Sequence, residues 1–180
     1  MRGIVLYGPP ASGKDTITDA LVELDPRCRL FKRLKAGPGA TATYRMIGAD
    51  DLDRLRAAGQ LVWTNRRYGA TYVVDRPGLL DALADGIPVL HLGQVQAVDA
   101  VRHATPDGAW LMVELRRSRD TAHTWLIARR SVDTEARLAA WDATERLPAP
   151  DLSLDTGNLR PRAAAETILT RVNVRDNPPS

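Results

Sequence analysis

The nine residues GPPASGKDT at positions 8–16 constrain this chain more than any other stretch. They follow GIVLY, a short apolar run that reads as a buried strand, and precede a segment in which Ile17, Ala20, Leu21 and Leu24 recur at helical spacing until Asp25-Pro26 ends it. Gly8 and Gly13 admit backbone conformations closed to other residues, so successive N–H groups can turn toward one anion. The start of the following helix adds its positive end. A plain strand-to-helix turn accounts for the glycines and not for Lys14, which is placed to bridge the β- and γ-phosphates of a nucleotide. Gly8, Pro9, Pro10, Ala11, Ser12, Gly13, Lys14, Asp15 and Thr16 are therefore the expected ATP-binding loop.

Asp15 stands where such loops ordinarily carry Ser or Thr. A carboxylate beside polyphosphate is repelled unless a cation lies between them, so Asp15 is the expected ligand of Mg²⁺, directly or through water. Thr16 remains available to a phosphate oxygen. The competing reading is that Asp15 only favours the first helical turn.

The 180 residues suit one compact domain, expected to span 1–180. A net charge of +3 fits a local anion site and no broad nucleic-acid surface. No apolar stretch is long enough to span a bilayer and no signal pattern is seen. Cys28 is the single cysteine, so no internal disulfide is expected, and a cytoplasmic protein is. Only three of the 25 basic residues are lysine, namely Lys14, Lys32 and Lys35. Along the chain, strand-like runs at 29–34, 61–74, 87–92, 109–115 and 152–156 alternate with helical ones at 50–58, 76–85, 94–103, 119–130, 134–146 and 162–172. This alternation predicts an α/β fold with a central parallel sheet covered on both faces and a frayed tail at 173–180.

An acceptor site is expected within 31–75. LFKRLKAG gathers Lys32, Arg33 and Lys35 after a predicted strand, and Tyr44 and Tyr68 follow. Guanidinium grips two phosphate oxygens in a fork and a phenol adds a third contact, a good set for a phosphomonoester. Each residue taken alone also fits a solvated strand end or a core tyrosine.

Together these segments resemble the guanylate kinase superfamily of P-loop kinases along nearly the whole chain. GPPASGKDT is similar to the family's phosphate loop, FKRLK lies where it places acceptor-phosphate arginines, and RRYGATY, GIPVLHLGQVQAV, ARRSVDTEARL and LSLDTGNL resemble its later motifs. The resemblance implies the P-loop kinase fold, a small acceptor-binding insertion and an arginine-bearing lid at about 128–138. It also implies ATP as co-substrate with Mg²⁺, and a phosphorylated acceptor. Val62 stands where guanylate kinases carry the glutamate that reads guanine, and His91 and Gly93 stand where they carry acids, so GMP is not the expected acceptor. The Gly-Lys-Asp loop ending resembles the ribose 1,5-bisphosphate phosphokinase branch more closely. The departures suggest that one carboxylate has moved from the His91/Gly93 strand to the loop as Asp15.

Phosphoryl transfer needs arginines at the moving group, and Arg129, Arg130 and Arg137 are the expected ones. Arg116, Arg117 and Arg119 are further candidates, with a solvated helix start as the preferred reading. Asp155 and Asn158 lie where the resemblance implies adenine contacts. His91, His103 and His123 are too scattered for a metal site, and His91 reads as a satisfied core histidine. Two other functions remain open: a non-catalytic interaction module, which the presence of Lys14 opposes, and a hydroxyl kinase. The latter wants a carboxylate base, for which Asp50, Asp51 and Asp75 are available without a persuasive position. Partners are expected to be ATP and a small phosphorylated acceptor, without nucleic acid or membrane. Monomer and homodimer both fit.

Overall fold

The structure, a computed structural model, describes residues 2–39, 42–67, 69–128 and 134–176. Five strands form a wholly parallel sheet in the order β2-β7-β1-β8-β9: β1 Gly3–Tyr7, β2 Cys28–Leu30, β7 Ile87–Leu92, β8 Trp110–Arg116 and β9 Leu152–Asp155. The α/β class and the central parallel sheet are as expected. β1 lies at its centre, so all five of its residues are buried and the side chains of Ile4 to Tyr7 alternate between two cores. Ile4 and Leu6 join the helices α1 (Lys14–Leu24) and α7 (Pro161–Asp176) through Ile17, Leu21, Ala165 and Ile168. Val5 and Tyr7 join α3 (Arg76–Asp85) and α4 (Val95–Ala104) on the opposite face, through Leu79, Ala97 and Val98.

A second, four-stranded sheet runs β4-β3-β6-β5, from β3 Leu34–Ala36, β4 Arg45–Met46, β5 Leu61–Arg67 and β6 Ala70–Asp75. Helix α2 (Ala49–Ala57) packs Leu52 against Leu34 and Val73 of this sheet. This insertion splits the single strand expected at 29–34. The Phe31 N–H still bonds the Val89 carbonyl in the main sheet, whereas the Arg33 carbonyl already accepts from Arg45 in the small one. Three residues therefore carry the chain between sheets. Asp75 anchors the return: it caps α3 by accepting from the Gly78 N–H at 2.9 Å and pairs with Arg45.

Helices α5 (Arg119–Ala128) and α6 (Thr134–Asp142) rise over the sheet's C-terminal end. Two corrections concern helix ends. α6 stops at Asp142, short of the expected 146, because the chain beyond it is claimed by the sheet. Buried Glu114 on β8 accepts from Arg146 Nε at 2.7 Å, from the Leu147 N–H at 3.1 Å and from Ser153 Oγ at 3.0 Å. The Tyr7 hydroxyl donates to the Glu145 carbonyl at 2.7 Å. Bidentate Arg119–Asp142 ties α5 to α6. At the other end, α7 runs to Asp176, so 173–176 belong to a helix and not to a frayed tail. Among the described residues no helix is long and apolar enough to cross a membrane.

Burial alone pushes the Glu114 carboxyl up, but the hydrogen bonds from Arg146, Leu147 and Ser153 outweigh it and hold the group below the usual glutamate range. A carboxyl depressed in the folded state stabilises above its unfolded pKa of about 4.3, and that stability is lost as pH falls through the folded value. Glu114→Gln is thus expected to lower stability by about 1.5–3 kcal/mol at neutral pH. Urea titrations should show the gap to wild type narrowing below about pH 4, and an equal gap at both pH values would contradict this role.

Candidate active site

The phosphate loop joins β1 to α1 and lines a cleft of about 420 Å³ at the C-terminal end of the parallel sheet. Its shape depends on close backbone approach. A Cβ at Gly8 would lie 2.6 Å from the Leu115 carbonyl oxygen, and Gly13 has φ +91, a left-handed conformation. Ala11 also sits at φ +60, uncommon for a residue with a side chain. Gly13 supplies no side-chain cap to α1, so the helix's first N–H groups face the loop's interior without one.

Lys14 folds over the loop. Its ammonium donates to the carbonyls of Gly8 and Pro9, both at 2.7 Å, and to Ser12 Oγ at 3.2 Å. Burial pulls its pKa down to about 8, with Asp15 opposing and Arg33 reinforcing the shift. From the sheet's far edge, buried Thr156 has its hydroxyl 2.9 Å from the carbonyls of both Ser12 and Arg116, its single proton shared between them, which fastens the loop to β8 and β9. Thr156 has no sequence signature, since its role depends on strand order.

Gly8, Pro10, Ala11, Ser12, Gly13, Lys14, Asp15 and Thr16 all line the cleft, and Pro9 contributes its carbonyl to Lys14. On the opposite wall stand Arg33, Tyr44, Asn65 and Tyr72. The Tyr44 and Tyr72 rings are 5.1 Å apart, and Arg33 lies 5.9 and 5.7 Å from their centroids. Lys35, only 2% exposed, sits against the same two rings with its ammonium 5.4 and 5.6 Å from the centroids. Register explains the grouping: Tyr72 lies directly opposite Lys35 on β3 and Asn65 on β5, so the three share one face of the small sheet.

Several expectations change. Lys32 is exposed and does not line the cleft, and Lys35 supports the tyrosines from behind. Tyr72, which was not expected there, lines the cleft, and Tyr68 lies outside the described residues. Val62 packs against the core below the sheet and is not a cleft residue; the strand shifts register between Leu61 and Trp63, and Asn65 is the β5 side chain that reaches the cleft. Arg117 is no solvated helix start. It lines the cleft, donates to the Thr156 carbonyl at 2.9 Å and stacks 4.8 Å from the Trp125 ring centre. Arg116 is exposed and Arg119 is bound to Asp142, as a surface reading requires. Asn158 is exposed and donates to Asp155 at 2.9 Å, a local turn away from the cleft. Arg137 reaches the cleft from α6, whereas Arg129 and Arg130 lie outside the described residues. Asp51 pairs with Arg54, Asp75 caps α3, and neither they nor Asp50 line the cleft, so none of the three stands where a hydroxyl kinase would need its base.

Among the described residues no group of three or more His, Cys, Asp or Glu could hold a metal ion. The carboxylate of Asp15, 81% exposed beside Lys14, nevertheless suits an ion that brings phosphate and water ligands with it.

A phosphate loop between the central strand and first helix, facing a cation-lined insertion and overhung by an arginine-bearing helix, defines a P-loop nucleotide kinase. Comparison with known proteins agrees. The chain is 31% identical over 150 residues to a guanylate kinase of Frankia casuarinae, covering 76% of this chain and 82% of that protein. It is 31% identical over 108 residues to one from Granulibacter bethesdensis, covering 57% and 51% respectively. The solved guanylate kinase of Anaplasma phagocytophilum superposes with a TM-score of 0.62 at 16% identity over 98% of this chain and 86% of that one. APE1195 does so at 0.57 and 20%, over 96% of each chain. No family model matches. The chain belongs to the guanylate kinase family and is an ATP-dependent phosphotransferase of the P-loop nucleotide kinase kind.

Gly8→Ala is expected to push the loop off β8 and weaken ATP binding by on the order of tenfold or more, about 1.4 kcal/mol per decade, with the fold intact. Calorimetric ATP titration checks this against circular dichroism, and wild-type affinity in a folded variant would contradict it.

Proposed function

We propose that the protein transfers the γ-phosphoryl group of ATP to the phosphate of a small phosphomonoester, a pentose phosphate or a nucleoside monophosphate other than GMP. The observation that carries this reading is the charge of the cleft. Lys14, Arg33, Arg117 and Arg137 line it, and Asp15 is the one carboxylate among its described lining residues. Two phosphates approaching each other need such a surplus of positive charge. The acceptor wall supports the exclusion of GMP, because among its described residues, Arg33, Tyr44, Asn65 and Tyr72, the N–H edge of guanine would meet no carboxylate.

In this reading the loop's N–H groups and Lys14 hold the β- and γ-phosphates of ATP. Arg33, Tyr44 and Tyr72 hold the acceptor phosphate, with Lys35 behind the two rings. An acceptor phosphate oxygen forms the new bond to the γ-phosphorus as its bond to the β-phosphate oxygen breaks, and the electron pair leaves with ADP. That oxygen is already ionised, so no general base is required. Arg137 and Arg117 offset charge on the transferring group and on the nucleotide. Asp15 would hold Mg²⁺, which supplies charge neutralisation of the phosphates when bound. The Gly-Lys-Asp loop ending supports the pentose phosphate side of the acceptor class.

Lys14→Ala should abolish transfer and leave the fold intact, measured as ADP release against thermal melting; wild-type turnover would overturn the kinase reading. In a screen of nucleoside monophosphates and pentose phosphates, GMP should fall well below the best acceptor, and parity would overturn its exclusion. Asp15→Asn keeps size and hydrogen bonding but removes one charge. It should raise the Mg²⁺ concentration for half-maximal activity about tenfold, equivalent to about 1.4 kcal/mol. Asp15→Ser should recover part of the loss, whereas an unchanged metal requirement in Asp15→Asn would make Asp15 a helix-start residue only.

A further inference from the structure

Near Asp15, at the end of β7, His91 makes an arrangement that a satisfied core histidine does not need. Thr18 Oγ1 donates its only proton to the Lys14 carbonyl at 2.9 Å. Toward His91 Nε2, 2.7 Å away, the same hydroxyl can then only accept. Nε2 therefore carries the ring proton and Nδ1 carries a lone pair. That lone pair faces Asp15 Oδ1 at 3.6 Å. Two acceptors stand opposite each other with no proton to share.

We propose that His91 Nδ1 and Asp15 Oδ1 form a two-donor seat for the divalent cation, one that favours a nitrogen-accepting ion such as Mn²⁺ over Mg²⁺. The arrangement has the features of a built ligand pair. A ligating histidine is ordinarily fixed by a hydrogen bond at its other nitrogen, and Thr18, anchored on the Lys14 carbonyl, does that here. Both groups border the cleft within the phosphate loop's reach. The His91 ring is 16% exposed and rigidly placed, while the exposed Asp15 carboxylate can adjust. Two adjacent ligands each about 2.1 Å from one octahedral ion lie about 3.0 Å apart, a separation that a small rotation of the exposed Asp15 carboxylate reaches from the 3.6 Å seen here. Mg²⁺ keeps oxygen ligands and gives up its water reluctantly, whereas first-row transition ions accept an imidazole nitrogen, so one nitrogen donor tilts the seat away from Mg²⁺. Three scattered histidines hid the pair in the sequence, because the partner is a loop carboxylate and not another histidine.

The seat is meant to serve the nucleotide site proposed above, and its test separates the two. Electron spin-echo spectra of the full-length protein with Mn²⁺, alone and with ATP, should show modulation from one directly bound imidazole nitrogen. His91→Gln keeps a donor for Thr18 and should remove that modulation and reduce Mn²⁺ affinity at least tenfold, while His103→Gln and His123→Gln should retain both. Absence of nitrogen modulation in the wild type, or its survival in His91→Gln, would overturn the seat. ATP binding in the same samples reports on the nucleotide site separately: a protein that binds ATP with Mn²⁺ but shows no nitrogen coupling keeps the kinase reading and loses this one.

Discussion

Everything in this molecule hangs on how closely the backbone after β1 can approach β8. The Gly8 position tolerates nothing larger than hydrogen against the Leu115 carbonyl, and Thr156 fastens Ser12 to the same strand ends. Lys14 then draws the loop's own carbonyls together. Because β1 is the central strand, helices on both faces brace this junction, and the loop's amides point at one volume above the sheet. An anion site here follows from strand order more than from any one side chain.

The second organising feature is charge held at a distance from its counter-charge. Lys14, Arg33, Arg117 and Arg137 converge on a cleft whose one described carboxylate is Asp15. Cations so arranged repel one another, and the fold offsets that with aromatic faces: Tyr44 and Tyr72 for Arg33 and Lys35, Trp125 for Arg117. The overhanging helices are tied down away from the cleft, through Glu114 with Arg146 and Tyr7 with the Glu145 carbonyl. Anchoring one end firmly leaves α6 able to present Arg137 from the other.

What could be read from the sequence was what depends on neighbours along the chain. The strand-loop-helix at the start of the chain and the alternation of strands and helices are local patterns, and they appear as expected. What depends on register was not legible. Tyr72 joins Lys35 and Asn65 only because β6 pairs with both β3 and β5, and a shift between Leu61 and Trp63 turned Val62 into the core. Arg117 and Thr156 arrive from strands more than 100 positions beyond the loop they support. Asp155 and Asn158, which the resemblance places near adenine, share a hydrogen bond in a local turn.

The central claim is that two phosphates meet in this cleft and that one phosphate oxygen attacks the other's phosphorus. Phosphorus-31 NMR of the product formed from ATP and the best acceptor tests it directly, because it reports the bond that was made. A new phosphoanhydride gives two mutually coupled phosphorus resonances, and that is the predicted spectrum. A new uncoupled phosphomonoester signal would mean transfer to a hydroxyl and would contradict the account.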